Sequence, residues 1–248
     1  MPAESAWSAL RRGRFAHIPE DCGNEAAPGI IDHPAFRNWA LRPTTDDQFR
    51  IEEYIDRYDL RSKRVLHVGI GNSGLARRFR KRVGQVVGTT LDQSELEHAK
   101  HLGLPGYRVV IHNKYGGERD LCRGTFDFIV DNNPTSSCCC MKHLRAVFEL
   151  YSAKLAPHGQ IVTDRQGLGW TPPPGNPRFG FDFDDLAAVA KAAGLNAYRV
   201  DADVYVLARS APPAPGALPL LRHQLRRAGM LPRALAGFPR KIMRRLFH

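Results

Sequence analysis

The sequence predicts an α/β fold: a seven-stranded, mostly parallel sheet with helices on both faces and an antiparallel hairpin at its C-terminal end. Three observations carry this. An apolar run, Val65, Leu66 and Val68, meets a glycine turn at Gly69, Gly71 and Gly74, and a helical pattern follows. Strand-like and helix-like segments then alternate, which implies parallel strands joined by crossover helices. The last two apolar runs, near 196–201 and 203–209, are separated by too little chain for a crossover helix, so they must pair antiparallel.

Taken in order, residues 1–43 read as an irregular segment punctuated by Pro19, Pro28, Pro34 and Pro43. Its Trp7, Phe15, Phe36 and Trp39 give part of it a reason to pack on the domain. A helix is expected over 44–58. Thr44 and Thr45 offer caps, Asp46 and Asp47 follow, and Phe49, Ile51, Tyr54, Ile55 and Tyr58 recur at helical spacing. Strands are expected near 64–69, 85–90, 107–112, 125–131 and 159–164, and helices near 73–83, 93–102, 137–155 and 182–193. Residues 44–210 then form one domain. Residues 211–248 form a stiff proline-rich linker and a basic tail.

The formal net charge of +11 belongs to that tail. Residues 211–248 hold Arg222, Arg226, Arg227, Arg233, Arg240, Lys241, Arg244 and Arg245 and no acid, which leaves the rest near neutral. Apolar residues from Leu218 to Phe247 interleave with these charges. An anionic membrane surface or a protein partner is therefore expected for residues 218–248, and nucleic acid is the weaker alternative. Five cysteines, three of them consecutive, argue for a reducing, cytoplasmic setting, with the tail able to reach the inner face of the membrane. The N-terminus has no long apolar run of the secretory kind, and no stretch approaches the ~20 apolar residues that span a bilayer. Cys138, Cys139 and Cys140 are expected to be small apolar filler at a helix start. No second cysteine pair stands at zinc spacing, and Cys22 and Cys122 are isolated in sequence.

Gly69, Gly71 and Gly74 satisfy G-x-G-x-x-G. Such a turn lets backbone N–H groups approach a nucleotide-like ligand at the positive end of a helix. A dinucleotide site also wants an acid about 20 residues on, at the end of the next strand. Asp92 lies 18 residues after Gly74, beyond the expected strand end at Thr90.

Four blocks point elsewhere. Val65–Gly74 is similar to the glycine loop of class I S-adenosylmethionine-dependent methyltransferases, and Val86–Lys100 to their second strand and helix. Thr125–Asp131 resembles their fourth strand, and Leu155–Thr163 the turn and fifth strand. The region from Arg64 to about Arg209 therefore resembles that family. The resemblance implies a Rossmann-like sheet and S-adenosyl-L-methionine as cofactor. It also implies a cradle at Gly69, Gly71, Asn72 and Gly74, with His67 beside it. In the family an acid usually ends the second strand and holds the ribose. Thr90 stands there in this chain, so either Asp92 reaches back or Thr90 makes a weaker contact; Asp92 reads equally as a helix cap. His112 and Asn113 occupy the zone of the adenine contact.

Asp131 ends the fourth strand, where the loop faces cofactor and substrate. Two chemistries compete there. Asn133-Pro134 is similar to the start of a motif of amino-group methylating enzymes, but Thr135 and Ser136 depart from it. Alternatively, Asp131 and Asp164, at the ends of adjacent strands, resemble the acids of metal-dependent O-methyltransferases and would share a divalent cation such as Mg. Otherwise Asp131 contacts the cofactor or loop backbone and Asp164 caps a turn. Asp131 and His143 are the catalytic candidates, followed by His112 and His158. The loop around 167–177 is expected to be a lid, with Trp170 and Phe179 as stacking surfaces. The expected reaction is O-methylation of a small-molecule or glycan hydroxyl. An amine, RNA or protein acceptor is the alternative, as is a binding or regulatory protein that keeps the fold.

Overall fold

The computed structural model describes residues 3–24, 38–116, 121, 123–136, 138–169 and 180–217, together with 220, 221 and 224. Next to its central strand lies β1 (Arg64–Val68), whose Val65 and Leu66 are buried on opposite faces. It pairs parallel with β2 (Gln85–Thr90) on one side and β4 (Phe126–Asp131) on the other. β3 (Tyr107–Ile111) extends the sheet beyond β2, and β5 (Leu155–Asp164) extends it beyond β4. β7 (Val204–Ala208) runs antiparallel to both β5 and β6 (Asn196–Arg199). The order is β3-β2-β1-β4-β5-β7-β6. The seven-stranded, mostly parallel sheet with its antiparallel C-terminal pair is thus observed as the sequence predicts.

Alternation along the strands builds two cores. Leu66, Ile129, Ile161, Tyr205 and Leu207 face one way and pack with α5 (Met141–Lys154) and α7 (Phe183–Ala192). Val65, Phe128, Val130, Val162 and Val206 face the other way and pack with α2 (Asp46–Ile55) and α3 (Gly74–Phe79). α4 (Gln93–His101) packs against β2 and β3.

The chain departs from expectation mostly where helices begin and end. A helix, α1 (Ala3–Arg12), lies within the segment expected to be irregular. Its apolar edge, Ala6, Trp7 and Leu10, is too short to announce a helix, and packing stabilises it instead. Trp7, Phe15 and Ile18 join the α5–α7 core, and Phe15 stacks on Phe181 at 5.2 Å between ring centroids. Arg14 reaches the capping box at the start of α7, pairing with Asp182 at 3.1 Å and also with Asp185. α3 stops at Phe79 because its exit tightens, with Arg82 N donating to Phe79 O at 2.7 Å as the chain turns toward β2. α5 begins only at Met141, since Cys140 is fully extended (φ −157°) and acts as its N-cap.

The expectations placed on Phe36, Cys122, Trp170, Phe179, the side chain of Trp39, and residues 218–248 apart from Leu220, Leu221 and Gln224 lie outside the described residues. Among the described residues no helix is long and apolar enough to cross a membrane.

Candidate active site

The connection from β1 leads through α3 on one face of the sheet, and that from β4 leads through α5 on the other. Neighbouring parallel strands whose connections diverge leave a crevice at their C-terminal ends. A cleft of about 530 Å³ opens there. This lies within the ~300–1,000 Å³ of small-molecule sites. Its wall comes from the glycine loop, the ends of β2 and β3, the loop after β4 and the start of α2.

Gly69 and Gly71 have φ of +71° and +49°, the left-handed region that other residues rarely adopt. A Cβ on either would have nothing within 4 Å, so their backbone borders open space. Gly74 answers a different demand. A Cβ there would lie 2.5 Å from Thr44 Oγ1 and 2.8 Å from Asn72 Oδ1. Asn72 is committed to the loop itself. Its Nδ2 donates to Arg42 O at 2.8 Å, and its Oδ1 accepts from Gly74 N at 2.7 Å. Its amide fastens the glycine loop to the approach of α2, and the residue also lines the cleft.

At the end of β2 a buried acid from the next helix meets Thr90. Thr90 is buried and donates from Oγ1 to Glu95 Oε2 at 2.6 Å. Asp92 Oδ1 caps α4 by accepting from Glu95 N at 3.0 Å, the cap reading of that residue. Glu95, in the first turn of α4, turns back to the cleft, with the Gly71 backbone near its carboxyl. Burial pushes its carboxyl up to about 7, with the nearby Asp92 adding to the rise. The sequence reading missed Glu95. The usable signal was its N3 place after an Asp cap, which aims the side chain back at the preceding strand.

His67 also borders the cleft, and burial lowers it to about 4, so its imidazole is neutral at pH 7. Its Nδ1 is buried with no hydrogen-bond partner among the described residues. His112 and Asn113 lie where expected, at the end of β3 in the cleft wall, and Asn113 Oδ1 accepts from Tyr115 N at 3.1 Å.

Asp131 is held from several sides. Lys114 Nζ donates to Oδ2 at 2.9 Å, Asn133 N donates to Oδ1 at 3.0 Å, and the Tyr151 hydroxyl also donates to Oδ2. Lys114 reaches on to Asn133 O at 2.5 Å. Burial pushes the Tyr151 phenol well above its ordinary range, so it stays a donor. Asp131 is thereby a tie between three segments, and the bond from Asn133 N is the loop-backbone contact expected as the alternative to a catalytic role.

The expected Asp131–Asp164 metal pair is also corrected. Val130 pairs with Val162, so in that register Asp131 stands beside Thr163, while Asp164 falls on the opposite face of the sheet. There Asp164, fully buried, takes a two-pronged bond from Arg50, at 2.7 and 2.8 Å, and caps Gln166 N at 2.8 Å. A guanidinium fills the place offered to a cation.

His143 lines the cleft, and its Nδ1 turns toward sulfur: Cys139 at 3.1 Å, Cys140 at 3.4 Å and Cys22 at 3.6 Å. Cys138 and Cys140 are buried as the filler expectation has it, with Cys140 also facing His143, and burial pushes the Cys138 thiol up to about 12. His158 is exposed and does not line the cleft.

The chain matches no family model. No curated protein matches its sequence. Solved structures do match its shape. DesVI from Streptomyces venezuelae superposes with a TM-score of 0.51 at 15% identity, over 70% of this chain and 93% of DesVI. CalS10 from Micromonospora echinaspora, an amino pentose methyltransferase whose structure holds bound S-adenosylmethionine, superposes at 0.50 and 19% identity, over 82% of this chain and 96% of CalS10. The chain has the class I methyltransferase fold. That fold accounts for the 3-2-1-4-5-7-6 strand order and for a cleft at the β1–β4 divergence.

Two stability predictions follow from the buried acids. Arg50→Ala strands the Asp164 carboxylate and should cost about 3–5 kcal/mol in urea unfolding, with part of that recovered in Arg50→Ala/Asp164→Asn. Glu95 works in the opposite sense. A folded carboxyl titrating near 7 keeps a proton that the unfolded chain loses near 4.5. Its burial is therefore harmless below pH 4.5 and increasingly destabilising as pH rises to 7. Glu95→Gln should be more stable than the parent at pH 8, by on the order of 3 kcal/mol, and no more stable at pH 4. Thermal unfolding at the two pH values measures this.

Proposed function

We propose that this chain is an S-adenosylmethionine-dependent methyltransferase acting on a hydroxyl of a small molecule or glycan, with residues 44–210 as its catalytic domain. One observation carries the reading: the open backbone of Gly69 and Gly71 and the carboxyl of Glu95 share one cleft at the divergence of β1 and β4. Backbone that a side chain would obstruct, beside a buried acid, suits a ligand with an amino-acid end and a ribose.

The residues fit that cofactor. Gly69 and Gly71 would receive its methionine part, and Glu95, braced by Thr90, would accept from the ribose hydroxyls. His67 would pair its unsatisfied Nδ1 with a polar group of the ligand, and Asn113 or His112 would meet the adenine edge. The bound cofactor supplies an electrophilic methyl on a positively charged sulfur. The protein's part is alignment, with the Lys114–Asp131–Tyr151 cluster fixing the floor against which the acceptor lies. A hydroxyl acceptor would hand its proton to His112 or His143, the imidazoles of the cleft wall besides His67. CalS10, an amino pentose methyltransferase, supports the carbohydrate part of that acceptor class.

For the basic tail the proposal is docking on an anionic membrane or a protein partner through residues 218–248. Co-sedimentation with anionic vesicles should be strong for the full chain and lost for residues 1–210; a truncated chain that still pellets refutes the membrane version.

Calorimetry tests the cofactor reading. S-adenosylmethionine should bind the parent with micromolar affinity, and Glu95→Ala should weaken it roughly ten- to hundredfold, the loss of a charge-assisted hydrogen bond worth about 1.5–3 kcal/mol. Since the carboxylate is the better acceptor, affinity should rise with pH through about 7. Absence of binding at millimolar cofactor overturns the proposal.

A further inference from the structure

Four soft ligand atoms converge at the mouth of α5. Sγ of Cys22, Cys139 and Cys140 and a ring nitrogen of His143 all lie within 4.8 Å of one another. The three sulfur-to-nitrogen distances are 3.1, 3.4 and 3.6 Å. A tetrahedral zinc ion, with bonds of about 2.3 Å to sulfur and 2.0–2.1 Å to nitrogen, places its ligand atoms roughly 3.5–3.8 Å apart. The four donors already stand close to that spacing. We propose that Cys22, Cys139, Cys140 and His143 bind a single zinc ion in a closed, structural site. The proposal rests on these residues and not on the methyl-transfer reading.

Several features suit zinc here. Three thiolates and one imidazole form a borderline-soft N/S set, which zinc favours over magnesium or calcium. Four protein ligands leave no open position, the mark of a structural centre. Binding would release the three thiol protons, and the resulting centre would carry one net negative charge. It would sit at the N-terminal end of the 14-residue helix α5, whose dipole favours negative charge.

The protein also brings the distant ligand into place without the ion. Met141 N donates to Pro19 O and Lys142 N to Glu20 O, each at 2.9 Å, so residues 19–20 lie across the first turn of α5. Lys142 Nζ pairs with Asp21 at 2.9 Å, and Asp21 accepts from Gly23 N at 2.9 Å. Cys22 is thereby held beside two cysteines more than a hundred residues later in the chain. Cys139 and His143 also belong to the cleft wall. The ion would therefore staple the N-terminal segment to that wall and set its shape. His143 would then be a ligand, leaving His112 as the imidazole for proton removal.

The test uses the full chain, purified under reducing conditions and dialysed against zinc. Elemental analysis should find about one zinc per chain. Cobalt substitution should give the intense visible bands and sulfur-to-metal charge transfer of a tetrahedral thiolate site. Cys22→Ser, Cys139→Ser and His143→Ala should each lose the ion, while Cys138→Ser keeps it. Chelation should lower the melting temperature of the parent, and zinc should restore it. The proposal is overturned by a reduced chain that takes up no stoichiometric zinc, by cobalt lacking thiolate charge transfer, by ligand variants that retain the metal, or by a disulfide at Cys22 in place of three free thiols. The cobalt spectrum is read on the parent, so a misfolded variant does not remove the test. Cofactor calorimetry fails or succeeds separately.

Discussion

Asp131 ends β4 with its carboxylate out of water, and groups from three segments converge on it. Lys114 comes from the turn after β3, Asn133 from the loop after β4, and Tyr151 from the far end of α5. Removing a charge from water is costly unless partners replace the lost hydration, so these bonds must form together. That requirement couples the loops on either side of the cleft. The Lys114 ammonium also spans to Asn133 O, which fixes the loop after β4 relative to the β3 edge. The cleft floor is therefore one hydrogen-bonded object.

The other strand-end acid shows how a sheet sorts similar residues into different roles. Asp131 and Asp164 look equivalent in sequence, each closing a parallel strand. The Val130–Val162 register separates them, because one residue of offset moves a side chain to the opposite face. Asp164 then meets α2 and its Arg50, and Asp131 meets α5 and its Tyr151. Strand ends were legible because apolar runs and turn glycines mark them. Which face each terminal side chain occupies was not, since that depends on pairing between strands that the sequence does not display.

The same distinction holds at the end of β2. The sequence announces β2, α4 and the Asp92 cap by local rules, and the structure agrees with each. Glu95 was hidden because its role arises from helix geometry. The capping bond from Asp92 fixes the first turn of α4, and that turn returns the third residue toward Thr90 and Gly71. A buried acid here reaches the end of β2 from the helix that follows it. Its burial raises the carboxyl toward neutrality, at a cost in stability that grows as pH rises.

The cysteines carry that argument from one turn to the whole chain. In sequence, Cys22 is solitary and Cys138, Cys139 and Cys140 are too close together for recognised zinc spacing. Folding divides the triplet, burying Cys138 as filler and turning Cys139 and Cys140 toward His143 at the start of α5. Extended backbone at Cys140 permits this division, because a helix begun at 137 would have spread the three sulfurs around its axis. The delayed start of α5 also leaves its first N–H groups free to bond residues 19 and 20. A helix boundary displaced by a few residues thus determines both where the N-terminal segment docks and which sulfurs can meet, and it does so at the edge of the cleft.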